Sequence, residues 1–185
     1  MKVLAVCGSP RSGNTETLLK RILNGAMESG AHTELVLLKD KNIKLCDGCS
    51  RCAKTKSCHI LDDMQHIYHK AFTADILILG SPNYFNNVSG LMKNFIDRFS
   101  PYWEDKLKGK KAVLAVVGTE GGTSLRYPAN TLKHFCKICG IRVLKTIKAK
   151  AEAPRDALQN HELLLECFET GKKIMQRPKR KRNIK

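Results

Sequence analysis

Four of the eight cysteines lie close together in the chain, within residues 46–58. Two residues separate the first cysteine from the second and the second from the third, and five residues separate the third from the fourth. Ferredoxin-type iron–sulfur motifs place their cysteine thiolates at comparable intervals. The spacing therefore predicts one four-iron (4Fe-4S) cluster, with a zinc site and a metal-free loop of reduced thiols as alternatives. The expected metal ligands are Cys46, Cys49, Cys52 and Cys58.

A second group of chemically useful residues follows the first apolar segment, in the sequence Gly8-Ser-Pro-Arg-Ser-Gly-Asn-Thr15. Small residues before a helix let backbone N–H groups surround an anion, and the helix dipole adds positive potential there. The segment has neither the Gly-Lys-Ser/Thr ending of the ATP-binding loop nor the three-glycine dinucleotide turn. It therefore favours a terminal phosphate, with an ordinary polar helix cap as the alternative. The expected phosphate donors are Ser9, Arg11, Ser12, Asn14 and Thr15.

Two further loops have the composition of a site for a planar ring. Residues 80–90 combine aromatic side chains with amides directly after an apolar segment. Tyr84 and Phe85 can lie against a ring, and Asn83 can bond its polar edge. Residues 118–123 contain two adjacent glycines, which permit close backbone approach to a ligand. Each of these patterns taken alone is also typical of a simple turn.

Apolar periodicity predicts strands and helices that alternate along the chain. The predicted strands are 2–7, 32–38, 75–79, 111–117 and 141–149, and the predicted helices are 15–29, 62–72, 91–99, 127–139 and 156–175. The early strands are continuous apolar runs, which is typical of strands buried on both faces of a parallel sheet. We therefore expect an α/β fold with a doubly wound, five-stranded parallel sheet in one domain, residues 1–176. Such a sheet binds its ligand where the strand order reverses, so the loops after the first, third and fourth strands should meet.

Composition narrows the functional classes. No apolar run approaches the roughly 18 residues of a membrane span, and the short apolar start does not fit a signal peptide. We therefore expect a cytoplasmic protein with reduced cysteines and no membrane partner. The formal charge is +16, and residues 177–185 contribute six basic residues and no acidic one. We expect this segment to be a solvated basic tail, because charge alone is weak support for nucleic-acid binding.

The loops together resemble a known enzyme family. The motifs that carry the resemblance are Gly8-Ser-Pro-Arg with Asn14-Thr15, Gly80-Ser-Pro with Tyr84 and Ser89-Gly90, Lys93-Asn-Phe-Ile-Asp-Arg98, and the Gly121-Gly122 turn. They resemble the NAD(P)H-dependent FMN reductases of the flavodoxin-like fold, over residues 1–175. The cysteine segment 44–58, followed by Asp62-Asp-Met64, is similar to the iron–sulfur flavoprotein branch of that family.

The resemblance implies a site and an architecture. It implies a three-layer α/β/α fold with strand order 2-1-3-4-5, FMN with its phosphate in the 9–15 loop, and a four-iron cluster near the flavin. The cofactor-ring contacts that it implies are Pro82, Asn83, Tyr84, Phe85, Gly118, Thr119, Gly121 and Gly122. No side chain is assigned as a catalytic acid or base, because the flavin itself carries the chemistry.

The function expected from these features is an FMN-dependent oxidoreductase. Its electrons would come from NAD(P)H or a reduced ferredoxin-like donor. They would pass to a quinone, another flavin, oxygen or an iron–sulfur partner. The alternatives are a non-enzymatic electron carrier of the flavodoxin type and, on charge alone, a basic nucleic-acid-binding protein. The apolar residues near the expected ring edge, and the resemblance, also predict a homodimer or homotetramer.

Overall fold

The computed structural model describes residues 1–176, so the predicted basic tail, 177–185, lies outside the described residues. The strands are β1 (Lys2–Cys7), β2 (His32–Leu37), β3 (Ile76–Tyr84), β4 (Asn87–Val88), β5 (Lys111–Gly118) and β6 (Arg142–Lys150). The helices are α1 (Asn14–Glu28), α2 (Cys52–Thr55), α3 (Met64–Thr73), α4 (Gly90–Arg98), α5 (Arg126–Ile138), α6 (Asp156–Gln159) and α7 (His161–Ile174). Short 3-10 turns occupy Leu38–Asp40 and Ser100–Tyr102. Within the described residues, no helix has the length and apolar character needed to span a membrane.

The central sheet has the order β2-β1-β3-β5-β6, and all of these neighbours are parallel. The predicted doubly wound architecture is confirmed, because these five strands are the five that the sequence predicts, in the predicted order. The short strand β4 adds an antiparallel pairing to the end of β3.

Each face of the sheet is covered by its own helices, and each interface holds a separate apolar core. Helices α3, α4 and α5 cover one face, where Phe95, Phe99 and Phe135 pack edge to face. Helices α1, α6 and α7 cover the other face, around residues such as Leu18 and Ile22. The central strands contribute to both cores because successive side chains point to opposite faces.

Two segments differ from the sequence prediction. Residues 80–84, expected to belong to a loop, continue β3, and the last two of them, Asn83 and Tyr84, pair with β4 in a hairpin. Phe85 and Asn86 form the tip with φ of 48° and 58°, as a tight hairpin turn requires. The predicted helix 156–175 is two helices, because the Asn160 side chain accepts a hydrogen bond from the Leu163 N–H (3.0 Å) and starts α7.

Helices α1 and α7 approach each other closely through a pair of glycines. A Cβ atom on Gly25 would overlap the carbonyl oxygen of Phe168, and one on Gly171 would overlap that of Ile22. The contact is between two backbones, so no side-chain rotation can relieve it. These glycines therefore fix the position of α1, the helix that follows the 9–15 loop.

We expect Gly25→Ala to destabilise the protein by about 2 kcal/mol, because overpacking outweighs the gain in helix propensity. Gly90→Ala is the matched control, since a Cβ atom at the start of α4 meets nothing within 4 Å. Urea unfolding followed by circular dichroism measures both variants. Equal stability of the two variants would contradict the proposed backbone contact.

Candidate functional site

The ends of β1, β3 and β5 lie side by side at one edge of the sheet. Cys7 pairs with Gly80, and Pro82 pairs with Val117. The loops that follow these strands enclose a cleft of about 170 Å³. The predicted meeting of the three loops is therefore confirmed.

Nine of the predicted cofactor-binding residues line this cleft, and they come from all three loops: Ser9, Arg11, Asn14, Thr15, Pro82, Asn83, Tyr84, Gly118 and Thr119. Four others, Ser12, Phe85, Gly121 and Gly122, lie outside its lining. Phe85 is fully exposed at the hairpin tip. The sequence analysis missed Ala151 and Pro154, which close the cleft from the segment after β6.

The start of α1 forms the side of the cleft where the sequence predicts phosphate binding. Gly13 precedes the helix and provides no side-chain cap for its first N–H groups. An uncapped helix start leaves backbone donors and a positive dipole end available to an anion. Thr15 is buried in the first turn, and the Ser9 hydroxyl donates to the Arg11 carbonyl (2.6 Å), which fixes the loop.

Asn14 has a different role from the one that its sequence position suggests. Its side-chain N–H donates to the Ala153 carbonyl (2.9 Å), and its side-chain oxygen accepts from the Ala157 N–H (3.0 Å). Both polar atoms therefore hold the segment after β6 against α1. We accordingly treat Asn14 as an anchor of the cleft wall rather than as a phosphate donor.

The ring side of the cleft contains an unsatisfied polar atom. The side-chain oxygen of Asn83 is buried and has no hydrogen-bond partner within residues 1–176. A buried oxygen of this kind costs folding free energy unless a ligand or a water molecule donates a hydrogen bond to it. A Cβ atom on Gly118 would lie 2.9 Å from the Asn83 Cβ, so glycine is required for this packing. Asn83 and Gly118 therefore pack directly against each other on this side of the cleft.

Ser89 connects the first and third loops. Its hydroxyl donates to the Gly8 carbonyl and accepts from the Met92 N–H (3.1 Å) at the start of α4. Its own N–H donates to the Ser81 hydroxyl (3.0 Å). All three contacts are buried, so the relative position of the two loops is fixed by the protein itself.

The four clustered cysteines surround one small hollow. Cys46, Cys49, Cys52 and Cys58 all line it, and none of them forms a disulfide. Its volume of about 30 Å³ holds little more than one water molecule, so a metal cluster requires the loop to widen. The donor set of four soft thiols fits an iron–sulfur cluster or zinc.

The other four cysteines are buried among apolar side chains. Burial raises the pKa of Cys7 and Cys139 to about 11, and of Cys136 and Cys167 to about 12. These groups remain neutral thiols at pH 7 and serve as packing residues. The chemistry of thiolates is therefore confined to residues 46–58.

A second set of ligand atoms in the same loop was missed by the sequence analysis. The side chains of Asp47, Cys49 and His59 place one ligand atom each within 4.8 Å of one another. His59 Nε2 lies 2.9 Å from an Asp47 carboxylate oxygen. His59 and Asp47 are 12 residues apart in sequence, so the sequence pattern did not reveal this pairing. The three ligand atoms keep zinc as an alternative metal for the loop.

The cysteine loop is held to the fold by a buried ion pair between Arg98 and Asp62. Their side chains are 0 % and 2 % exposed, and Arg98 Nη1 lies 2.6 Å from the carboxylate. Burial alone would raise the pKa of Asp62, but hydrogen bonds from Arg98 and from the N–H groups of Met64 and Lys44 lower it below its ordinary value. The sequence analysis assigned Asp62 to the first turn of a helix. The structure shows that it precedes α3 and pairs with α4.

An open apolar cavity of about 1130 Å³ lies beside the cysteine loop, between α4 and α5. Cys46 and Gly48 form one wall, and Phe99, Trp103 and Phe135 contribute apolar surface. Trp103 is 47 % exposed there. Of the other apolar residues near the expected ring edge, Val88 is buried and Tyr102 packs against the core, whereas Tyr84 and Phe85 are exposed.

Comparison with known proteins agrees with this geometry. Residues 1–153 match the model of a family described as NADPH-dependent FMN reductase. An iron-sulfur flavoprotein of Methanocaldococcus jannaschii is 44 % identical over 102 residues, which are 55 % of this chain and 53 % of that protein. The chain thus spans about half of the length of that curated relative.

Two solved structures show the fold. An NAD(P)H:quinone oxidoreductase from Methanothermobacter marburgensis superposes with a TM-score of 0.73 at 13 % identity, over 96 % of this chain and 98 % of that chain. A flavodoxin from the domain Archaea gives a TM-score of 0.62 at 17 % identity, over 95 % and 96 % of the two chains. The fold is therefore flavodoxin-like, as expected from the sequence.

We expect Asp62→Asn to destabilise the protein by about 3–5 kcal/mol at pH 7, because it leaves the Arg98 charge buried and unpaired. The folded pKa of Asp62 is lowered, so the pair stabilises the fold above the ordinary pKa of about 3.9. This contribution disappears as the pH falls through the lower folded pKa, so the variant should lose less stability on acidification. Urea unfolding at pH 7 and at about pH 3 measures both effects.

Asp97→Asn is the control for this experiment. Asp97 pairs with Lys93 on the same helix, but the two side chains are 42 % and 55 % exposed. Its replacement should cost no more than about 0.5 kcal/mol. A similar cost for both variants would show that the buried pair does not stabilise the loop.

Proposed function

Since the chain belongs to the NADPH-dependent FMN reductase family, we propose that it is an FMN-dependent oxidoreductase that accepts electrons from NAD(P)H. The observation that carries the proposal is the meeting of three loops around one cleft at the switch point of the sheet. The uncapped start of α1 at the same cleft supports an anionic group on the ligand.

The phosphate of FMN is assigned to the start of α1. The residues proposed to hold it are Ser9, Arg11, Ser12 and Thr15, together with the uncapped N–H groups of the helix. Arg11 is exposed and supplies a positive charge. The cleft of about 170 Å³ is smaller than the roughly 300 Å³ or more of sites that enclose a whole ligand. It therefore suits the phosphate end of the cofactor.

The ring of FMN is assigned to the rim of the cleft. Pro82, Asn83 and Tyr84 form one side, and Gly118 with Thr119 forms the other. We propose that Phe85, Gly121 and Gly122, which lie just outside the lining, contact the exposed part of the ring. Bound FMN would supply hydride acceptance and electron transfer, while these residues orient it and limit the access of water.

The cysteine loop is proposed to hold a 4Fe-4S cluster. The support is the set of four thiols around one hollow and the iron-sulfur flavoprotein of M. jannaschii among the relatives. Such a cluster would supply one-electron transfer beside the flavin. Lys54, Lys56 and Arg51 lie in the same loop, and their positive charges can offset the charge of four thiolates.

We also propose electron partners, an oligomeric state and a cellular location for the protein. The electron acceptor is proposed to be a quinone, another flavin, oxygen or an iron–sulfur partner, and a ferredoxin-like protein is proposed as a donor. A homodimer or homotetramer is supported by the exposure of Tyr84 (44 %), Phe85 (105 %) and Trp103 (47 %). A cytoplasmic location is supported by the unpaired cysteines.

We expect Thr15→Val to lower the affinity for FMN at least about tenfold, since a hydrogen bond to a charged group is worth about 1.5–3 kcal/mol. NADPH oxidation at limiting FMN should fall in parallel. Thr17→Val is the matched control, because the Thr17 hydroxyl bonds to the Gly13 carbonyl (3.2 Å) and does not line the cleft. Flavin fluorescence titration gives the dissociation constants. Unchanged affinity in Thr15→Val would contradict the assigned phosphate site.

We expect Cys52→Ser to reduce iron bound after anaerobic reconstitution with iron and sulfide to less than half, because one of four thiolate ligands is lost. FMN content should stay unchanged. Cys167→Ala, which alters a buried cysteine of α7, is the control and should retain its iron. Iron counting and low-temperature EPR of the reduced protein measure the outcome. Absence of bound iron in the unmodified protein would remove the cluster and leave a flavin reductase with a cysteine-rich loop.

A further inference from the structure

The side chain of Arg98, at the end of α4, connects the two ends of the cysteine loop. Its Nη1 donates to the Lys44 carbonyl (2.7 Å), at the start of the loop. Its Nη2 donates to the Ile60 carbonyl (3.2 Å), just after the last cysteine of the loop. Residues 44 and 60 are thus held by one rigid planar group.

Asp62 completes the connection. Its carboxylate accepts from both terminal nitrogens of Arg98, at 2.6 and 3.2 Å. It also accepts from the Lys44 N–H (2.9 Å) and the Met64 N–H (2.9 Å). Asn94, one helical turn before Arg98, donates to the Ile43 carbonyl (3.0 Å). Helix α4 therefore determines the separation of the two loop ends.

One donor of Arg98 is not used by these contacts. The Nε atom is buried and has no hydrogen-bond partner in the described part of the chain, residues 1–176. Arg98 and Cys58 both line the hollow that the four cysteines surround. The Arg98 Nε–H is therefore a buried donor beside the hollow for which residues 1–176 supply no acceptor.

We propose that Arg98 is a positioning residue of the metal centre: its two terminal nitrogens set the spacing of the loop ends, and its Nε–H donates to the sulfur of metal-bound Cys58. The inference rests on the proposed function, because it requires that the loop binds a cluster. It assigns the otherwise unexplained Nε–H a partner that appears only when Cys58 is a ligand.

Two measurable consequences follow from this geometry. Loss of the hydrogen bonds from Arg98 to the Lys44 and Ile60 carbonyls lowers the fraction of chains that assemble a cluster, because the cysteine ligands are no longer preorganised. Loss of the hydrogen bond makes the cluster harder to reduce, because it stabilises the more negative reduced state. Loss of the Arg98 charge acts in the same direction, and removal of the Asp62 charge offsets it only in part, because Arg98 lines the hollow and Asp62 does not. A purely structural residue would change only the first of these properties.

The test compares two variants with the unmodified protein, each as the full chain reconstituted anaerobically with iron and sulfide. Arg98→Lys keeps the positive charge, but its single terminal nitrogen cannot replace the planar group that bonds both loop ends. The double variant Arg98→Met with Asp62→Asn removes the pair without leaving a buried unpaired charge, so it keeps the experiment informative if Arg98→Lys fails to fold. Lys145→Met with Glu166→Gln, an exposed ion pair that does not line the hollow, is the matched control. Iron counting gives the loading, and an EPR-monitored redox titration gives the midpoint potential.

We expect the double variant to load less than half as much iron as the unmodified protein, and the clusters that do form to have a more negative midpoint potential. Arg98→Lys should also load less iron but keep a potential closer to that of the unmodified protein. The control pair should change neither quantity. Normal loading together with an unchanged potential in the double variant would overturn the role of Arg98 and leave the proposed function intact. Absence of iron in the unmodified protein would overturn both.

Discussion

The parallel pairing of β1, β3 and β5 is the constraint on which the candidate site depends. Because these strands run in the same direction and in register, the loops that follow them must emerge at one edge of the sheet. The uncapped start of α1, the side chain of Asn83 and the backbone of Gly118 are thereby brought around one cleft. The two apolar cores hold the strands, and the buried Ser89 contacts fix the first and third loops relative to each other. The proposed flavin site is therefore a consequence of topology together with a few polar residues.

The cysteine loop is positioned by a different kind of interaction. It contains only the single-turn helix α2, and most of its residues are exposed, so apolar packing contributes little to its shape. A buried guanidinium and carboxylate tie its two ends to α4 instead. Such a pair contributes little net stability compared with apolar residues of the same size, but it defines direction and spacing. This suits a metal centre, whose ligands must keep fixed relative positions.

The sequence predicted the parts of the fold and site that depend on local pattern. Continuous apolar strands indicated the parallel sheet, and the strand ends indicated where the loops would meet. The hairpin at Phe85 was not predicted, because a positive φ at a phenylalanine has no propensity signal. The anchoring role of Asn14 was also missed, since its partners lie more than 130 residues away in sequence. Arg98 was visible as part of a sequence motif, but its contact with Asp62, 36 residues away, could be seen only in the tertiary structure.

The central claim is that one chain holds a flavin at the sheet edge and a metal cluster in the adjacent loop. The most direct measurement is the cofactor content of protein purified without oxygen, from its absorption spectrum, mass spectrometry of the released flavin and iron analysis. The account predicts FMN rather than FAD, close to one per chain, and about four irons per chain. Protein that lacks either FMN or iron, and does not bind the missing one when it is supplied, would contradict it.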